Sequence, residues 1–411
     1  MPATADALAR ATDALATAFD GGAPVELTAD GAALPRPEAR DPRRCGHPDA
    51  VAVVRTSGST GTPKQIVLTA SALRASAAAT AERLATAHPR PDAPGTGHWL
   101  LAVSPHYVAG LAVLSRAIDA GTEVVALPAG PFTPPAFAEA ASRLPDDGRA
   151  LLVSLVPTQV SRLLASDADP AGVEALRRFD HVLVGGARLP APLRAAAEAA
   201  GVRLTATYGM AETCGGCVYD GRPLPGVTAD LVRVSYTADG VPSGRIRLSG
   251  PMVAAGYLDD PERTAAHFTH DDASPASASF LTEDLGRLSP HDDGPRLTVT
   301  GRADDVVITG GVKVSAAAVQ AVLEADPAVA DVFVGAVEDP EWGQRLCAAV
   351  VPSPGVQPWG GQTQKRLAVV VKEALGGPAA PKTWLVLDAL PLLSTGKPDR
   401  RALSALFAAA D

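Results

Sequence analysis

The chain has 411 residues, 46% apolar and 20% charged, a soluble globular balance with more length than one ordinary core organises. A net charge of −9 with no basic block excludes a general nucleic-acid binder, and no run of about 18 uncharged apolar residues is present to cross a membrane. Only four cysteines occur (Cys45, Cys214, Cys217, Cys347), and residues 1–20 lack the basic start and apolar core of a secretion signal, so a reducing cytoplasm is the expected setting.

The first strong signal along the chain is an apolar run at 51–54, read as a strand, with 66–68 as a second strand. Between them stands Thr56-Ser57-Gly58-Ser59-Thr60-Gly61-Thr62-Pro63-Lys64. Hydroxyls and backbone amides on a glycine-loosened loop, ending in a cation, are what a polyphosphate needs. The spacing is not the common mononucleotide loop, which requires Gly-x4-Gly-Lys-Ser/Thr and then a helix. Here Gln65 follows Lys64 and a strand comes next, so the segment is a phosphate loop joining two strands.

Residues 72–87 then read as a helix capped by Thr69 or Ser71. Strands are expected at 100–103, 122–127, 150–155, 181–184 and 204–207, with helices at 110–120, 135–144, 157–165 and 190–200 between them. Strands separated by helices of this length imply βαβ units and a largely parallel sheet, whose ligands sit beyond the carboxyl ends of the strands. Gly185-Gly186 and Tyr208-Gly209 both fall at such ends.

From about residue 231 short alternating runs, at 232–236 and 244–248, point to antiparallel strands, and 267–278 reads as a loop. The His-Asp-Asp triplets at His270 and His291 lie in Gly/Pro/Ser-rich surroundings and read as solvated loops. Cys214-Gly-Gly-Cys217 has no second pair for zinc. After Gly301 a compact module follows, with helices at 316–325 and 364–375 and strands at 329–337, 346–351 and 383–387. The expected class is α/β: a large N-terminal domain (1–301) with a mainly parallel sheet plus antiparallel strands, then a small mobile α+β domain (302–411).

The phosphate loop resembles the signature of the AMP-forming, acyl-adenylating superfamily, and further motifs match in the family's order from about residue 50 onward. Tyr208-Gly209-Met210-Ala211-Glu212-Thr213 is similar to its nucleotide motif. The resemblance implies that Tyr208 stacks on adenine, Thr213 reaches the α-phosphate, and Glu212, with Thr60, holds Mg²⁺. A carboxylate joined by phosphate oxygens suits that ion. Gly185-Gly186-Ala187 matches the segment beside the adenine and acyl pocket. Thr282-Glu283-Asp284-Leu285-Gly286 resembles the ribose motif, with Asp284 the ribose acid and Glu283 replacing the usual glycine. Gly301-Arg302-Ala303-Asp304-Asp305 is similar to the hinge motif, which gives Arg302 a ribose contact and puts the hinge at 302–305. Ser394-Thr395-Gly396-Lys397-Pro398-Asp399 matches the motif of the catalytic lysine, Lys397. Its long side chain can stabilise the charge that shifts as pyrophosphate departs.

The implied activity is adenylation of a carboxylic acid by ATP and transfer of the acyl group to CoA. The small domain rotates between steps, presenting Lys397 for the first and Gly310-Gly311 for the second. Two features narrow the acid: the phosphate loop begins early, at Thr56, and residues 208–221 and 309–314 resemble compact o-succinylbenzoate–CoA ligases of menaquinone synthesis. His106 and Tyr107 match the pocket-gating motif of that family. Thr158, Gln159, Arg162 and Arg188 are weaker candidates for the acid pocket, with core or surface roles equally open. The alternatives are another aromatic acid, such as an arylacetate or benzoate, a separate carrier protein as acceptor, or a nucleotide binder without turnover. Similar enzymes are commonly homodimers, and the sequence leaves the assembly open.

Overall fold

The computed structural model describes residues 5–56, 63–87, 95–165, 169–236, 241–270, 277–353, 355, 359–393 and 398–410. The alternating strands and helices do build a parallel sheet. Its parallel strands lie in the order Val124–Ala126, Gly97–Leu101, Ala150–Leu155, His181–Val184, Leu204–Met210. These are short apolar runs because helices cover both faces. Leu100, Val153 and Val182 pack against Phe137, Leu163 and Phe179 on one side. Trp99, Leu101, Leu152 and Leu183 join Leu111 and Leu114 on the other. The helices Pro134–Ser142 and Pro170–Arg177 start with proline in the first turn, and Thr133 and Asp169 accept the free backbone N–H groups of Ala136 and Ala171.

The last parallel strand runs past residue 207, through Tyr208, Gly209 and Met210. Gly215–Tyr219 folds back beside it, pairing Gly216 with Gly209 and Val218 with Tyr208. The two backbones come so close that a Cβ on Gly209 would lie 2.0 Å from the Gly215 carbonyl oxygen. Glycine is therefore required there for strand pairing, whatever the ligand needs.

A second sheet carries the phosphate-loop strands. Its order is Gly256–Tyr257, Lys64–Thr69, Ala50–Thr56, Val25–Leu27, Ala33–Pro35. Lys64 pairs with Thr56 at the mouth of the loop, and Ser57 to Thr62 lie outside the described residues. The helix Ala5–Phe19 packs Leu8, Ala11, Leu15 and Ala18 into the core shared by these two sheets. A third, antiparallel sheet contains Thr228–Tyr236, Pro242–Ser249, Ser279–Ser289, Phe268–Thr269 and Arg296–Arg302.

The expected loop at 267–278 needs correction at its start. His267 ends the helix Pro261–His267, and Phe268–Thr269 is a short strand paired with residues 279 and 280. Asp260 caps that helix through the Arg263 N–H, and Phe268 packs on Phe280 and Tyr257 at ring distances of 4.8 and 5.3 Å.

The third sheet ends at Arg302 and the fourth begins at Val306, with the single turn Ala303–Asp305 between them. The smaller C-terminal domain is a mixed sheet of Val312–Ser315, Val306–Thr309, Gly343–Pro352, Val329–Asp339 and Thr383–Val386. Val319, Leu323, Leu367 and Val371, from the helices Ala316–Glu324 and Gly361–Leu375, cover one face, and Leu403 and Phe407 from Arg400–Ala409 cover the other. The hairpin between its first two strands turns on Gly310 and Gly311, both with positive φ (56° and 76°), the two-residue geometry that matches strand twist.

Candidate active site

Several of the expected site residues lie where the parallel strands end, while Lys64 comes from the second sheet and Gly310-Gly311 from a hairpin of the small domain. Beyond Gly97–Leu101 lie Ser104 and His106. Gly185, Gly186 and Ala187 follow His181–Val184, and Tyr208 to Thr213 complete Leu204–Met210 and its terminal turn. Asp284 and Arg302 reach the same region from paired strands of the third sheet.

Asp284 is the centre of one cluster. The Tyr208 hydroxyl donates to its Oδ2 at 2.7 Å, and Arg302 Nη1 lies 3.3 Å from its Oδ1. Burial, reinforced by the Asp284 charge, pushes the Tyr208 phenol well above its ordinary range, so it remains a donor. Thr282 steadies the segment: its hydroxyl donates to the Ile246 carbonyl at 2.9 Å and accepts the Asp284 N–H at 3.0 Å. The unusual Glu283 is accommodated because this segment is the middle of an eleven-residue strand. Its carboxylate pairs with Arg245 at 3.0 Å, while Asp284 pairs with Tyr208 and Arg302.

Glu212 is the centre of the second cluster and is only 6% exposed. Its Oε1 accepts a hydrogen bond from the Tyr257 hydroxyl at 2.9 Å. The Lys64 ammonium sits 5.5 Å from the Tyr257 ring centroid, so the cation at the end of the phosphate loop and the acid of the nucleotide motif meet at one tyrosine. Sequence reasoning missed Tyr257; its only sign is a phenol within the apolar run 252–258. The same holds for the charge network at the loop's base, where Glu26 pairs with Arg36 and Arg55. Arg36 also reaches Glu38 and, at 2.7 Å, the side-chain oxygen of Gln65, the residue after Lys64.

Other expected residues have more local surroundings. Thr213 is fully buried, its hydroxyl accepting the Met210 N–H at 3.0 Å and donating to the Gly215 carbonyl at 2.8 Å, so contact with an α-phosphate requires exchanging those bonds. His106 accepts or donates through Nδ1 to Ser104 Oγ at 2.6 Å and packs on Tyr107 at 3.7 Å between ring centres. Burial lowers its pKa, favouring the neutral imidazole. Gln159 uses both ends of its amide, bonding the Ala102 carbonyl and the Val156 N–H, and so serves the helix start. Thr158 is half-buried and Arg162 exposed. Arg188 pairs at 3.1 Å with Glu324 of the small domain.

Lys397 and the triplet partners Asp271 and Asp272 lie outside the described residues. In the second triplet, Asp293 is engaged by Arg222 and Arg296, each at 3.0 Å. No cluster of three or more metal-ligating side chains occurs among the described residues. A buried Glu212 carboxylate with one oxygen fixed by Tyr257 fits Mg²⁺, which takes one or two protein carboxylates and fills its shell with phosphate oxygens and water. Cys214 and Cys217 are both buried and free, and burial raises both thiols, Cys217 to about 12, which keeps them in the unreactive thiol form.

Residues 3–258 match the model of the AMP-binding enzyme family, and residues 318–397 match that of the AMP-binding enzyme C-terminal domain. The chain belongs to the AMP-binding enzyme family. Among family relatives, a Mycobacterium tuberculosis protein named "Probable 2-succinylbenzoate–CoA ligase" is 41% identical over 362 residues, 88% of this chain and 85% of that one. Two structures of o-succinylbenzoate CoA synthetase from Bacillus subtilis are similar, one in complex with its acyl-adenylate intermediate and one with ATP and magnesium ion. Each is 26% identical with a TM-score of 0.65, covering 86% of this chain and 69% and 70% of the other. An amide bond synthetase from Marinactinospora thermotolerans also aligns, at 26% identity and a TM-score of 0.68, over 88% of this chain and 70% of that one.

Proposed function

We propose that this chain is an ATP-dependent acid–CoA ligase that adenylates o-succinylbenzoate and then transfers the acyl group to CoA. The observation that carries the reading is the 41% identity, over 88% of the chain, to the M. tuberculosis protein named for that reaction. In the first step a carboxylate oxygen of the acid attacks the α-phosphorus of ATP, the bond to the bridging oxygen breaks, and pyrophosphate leaves. In the second the CoA sulfur attacks the acyl carbon, its proton passes to solvent, and AMP leaves with the electron pair.

In this reading Tyr208 lies against adenine while its hydroxyl holds Asp284, and Asp284 and Arg302 bind the ribose hydroxyls. Lys64 and the loop 56–62 hold the β- and γ-phosphates, and Thr213 turns toward the α-phosphate. Glu212, with Thr60, would hold Mg²⁺, which supplies charge neutralisation for the departing pyrophosphate. Gly185 to Ala187 and Met210 border the adenine and acyl pockets, and His106, neutral by virtue of its burial, gates the acid. The proposed domains are 1–301 and 302–411 with the hinge at 302–305, which lets Lys397 serve adenylation and the Gly310-Gly311 turn serve transfer. All four cysteines are free, in keeping with a reducing cytoplasm, and no described helix is long and apolar enough to cross a membrane. A homodimer is the proposed assembly, to be read by light scattering.

The test is acid-dependent AMP release with ATP, Mg²⁺ and CoA, comparing o-succinylbenzoate with phenylacetate, benzoate and a fatty acid. Strong preference for o-succinylbenzoate is expected. Preference for a mono-acid keeps the chemistry and overturns the substrate.

A further inference from the structure

Tyr257 occupies a position that neither half of the site could supply alone. The segment 254–258 is hydrogen-bonded along the strand Lys64–Thr69: Ala255 N–H donates to the Val67 carbonyl at 3.0 Å and Leu258 N–H to the Gln65 carbonyl at 2.8 Å. The same segment grips Glu212 at two points. Ala254 N–H donates to the Glu212 backbone carbonyl at 3.0 Å, and the Tyr257 hydroxyl donates to the Glu212 carboxylate at 2.9 Å. Backbone and side chain of one acid are thus tied to the strand that carries Lys64.

The phenol is 1% exposed and its ring is locked by neighbours, with Phe268 at 5.3 Å and His267 at 6.3 Å, both edge-on. Lys64 Nζ and the Arg263 guanidinium carbon stand 5.5 and 5.8 Å from its centroid. A buried carboxylate is costly unless hydrogen-bonded. One oxygen of Glu212 takes that bond from Tyr257. A phenol hydroxyl carries a single proton, and here it is directed at Glu212 Oε1, so the tyrosine donates and the carboxylate accepts.

We propose that Tyr257 is a positioning residue for the metal–triphosphate site: its hydroxyl orients the Glu212 carboxylate toward the metal, and its ring seats Lys64 beside the same phosphates. The proposal rests on the assignment of Glu212 to Mg²⁺ made above. Outer partners of this kind orient a ligand without touching the ion, and their loss typically weakens metal binding by about 10–100-fold.

The experiment uses the full chain with a non-hydrolysable ATP analogue and Mn²⁺ as the probe metal, read by electron paramagnetic resonance rather than by turnover. Tyr257→Phe keeps the ring and removes the bond to Glu212. It should weaken Mn²⁺ binding by about tenfold while AMP binding without metal stays at the wild-type value. On a Glu212→Gln background the same change should have no further effect, because the hydroxyl acts through Glu212; a role confined to packing would add to the Glu212→Gln loss. Unchanged Mn²⁺ affinity in Tyr257→Phe, with a clear loss in Glu212→Gln, would overturn the proposal and leave the ligase reading standing. Unchanged affinity in Glu212→Gln would remove the metal assignment, and the proposal with it.

Discussion

Glu26→Ala should destabilise the large domain more than its distance from any expected motif would suggest. Glu26 and Arg36 are 8% and 9% exposed, and Glu26 also pairs with the half-exposed Arg55. Removing one member of a buried pair costs about 3–5 kcal/mol, because the other charge is left without compensation in a poorly solvated place. Arg36 retains Glu38 and Gln65, which places this case near the lower end. The Arg55 contact adds roughly 0.2–1 kcal/mol, since water already screens that guanidinium. A loss of about 3–4 kcal/mol converts, at about 2–4 °C per kcal/mol for a large domain, to a fall of about 6–16 °C in melting temperature. Differential scanning calorimetry measures it, with Glu26→Gln as the volume-conserving control. The network also holds Gln65 beside Lys64, so the KM for ATP should rise in the folded variant. A fall of less than about 2 °C would refute the reasoning and mean that Glu38 alone compensates Arg36.

Three further outcomes are expected. Lys397→Ala should lower acid-dependent pyrophosphate release by about 10²–10³-fold, the usual effect of removing one electrostatic stabiliser of the transition state, while ATP binding by calorimetry is retained. His106 has a folded pKa below its ordinary 6.5, so it contributes nothing above that pH. As pH falls below 6.5 the unfolded chain takes up the proton first, and stability drops toward the lower folded pKa. Urea midpoints across this range should fall less in His106→Asn than in the wild type. Native alkylation should label Cys45, which is partly exposed, while the buried Cys214 and Cys217 react only after unfolding, as peptide mass mapping will record.

Much of this architecture was legible in the sequence because parallel strands buried on both faces are apolar runs with helices between them. Strands at 150–155 and 181–184 needed no tertiary knowledge. The strand ending at Met210 ran longer than its apolar residues because Gly209 tolerates the close return of Gly215, a contact made by sequence further along. Helix Ala5–Phe19 was legible but overlooked: Leu8, Ala11, Leu15 and Ala18 recur at helical spacing and enter the core, with alanine serving as a core residue. The strand Ser279–Ser289 was obscured, since its charged residues pair across strands, as Glu283 does with Arg245. Asp284, Arg302 and Tyr208 could be named from motifs, and the structure brings them within hydrogen-bonding distance. Tyr257 and Glu26 could not, because their importance lies in partners 45 and 10 residues away.

The central claim is a two-step ligation of o-succinylbenzoate, and product stoichiometry tests it most directly. Mass spectrometry of a reaction with ATP, Mg²⁺ and o-succinylbenzoate should find the acyl-adenylate when CoA is omitted. With CoA present, it should find the CoA thioester and AMP in equal amounts. AMP formed without thioester, or thioester formed equally well from benzoate or phenylacetate, would contradict the account.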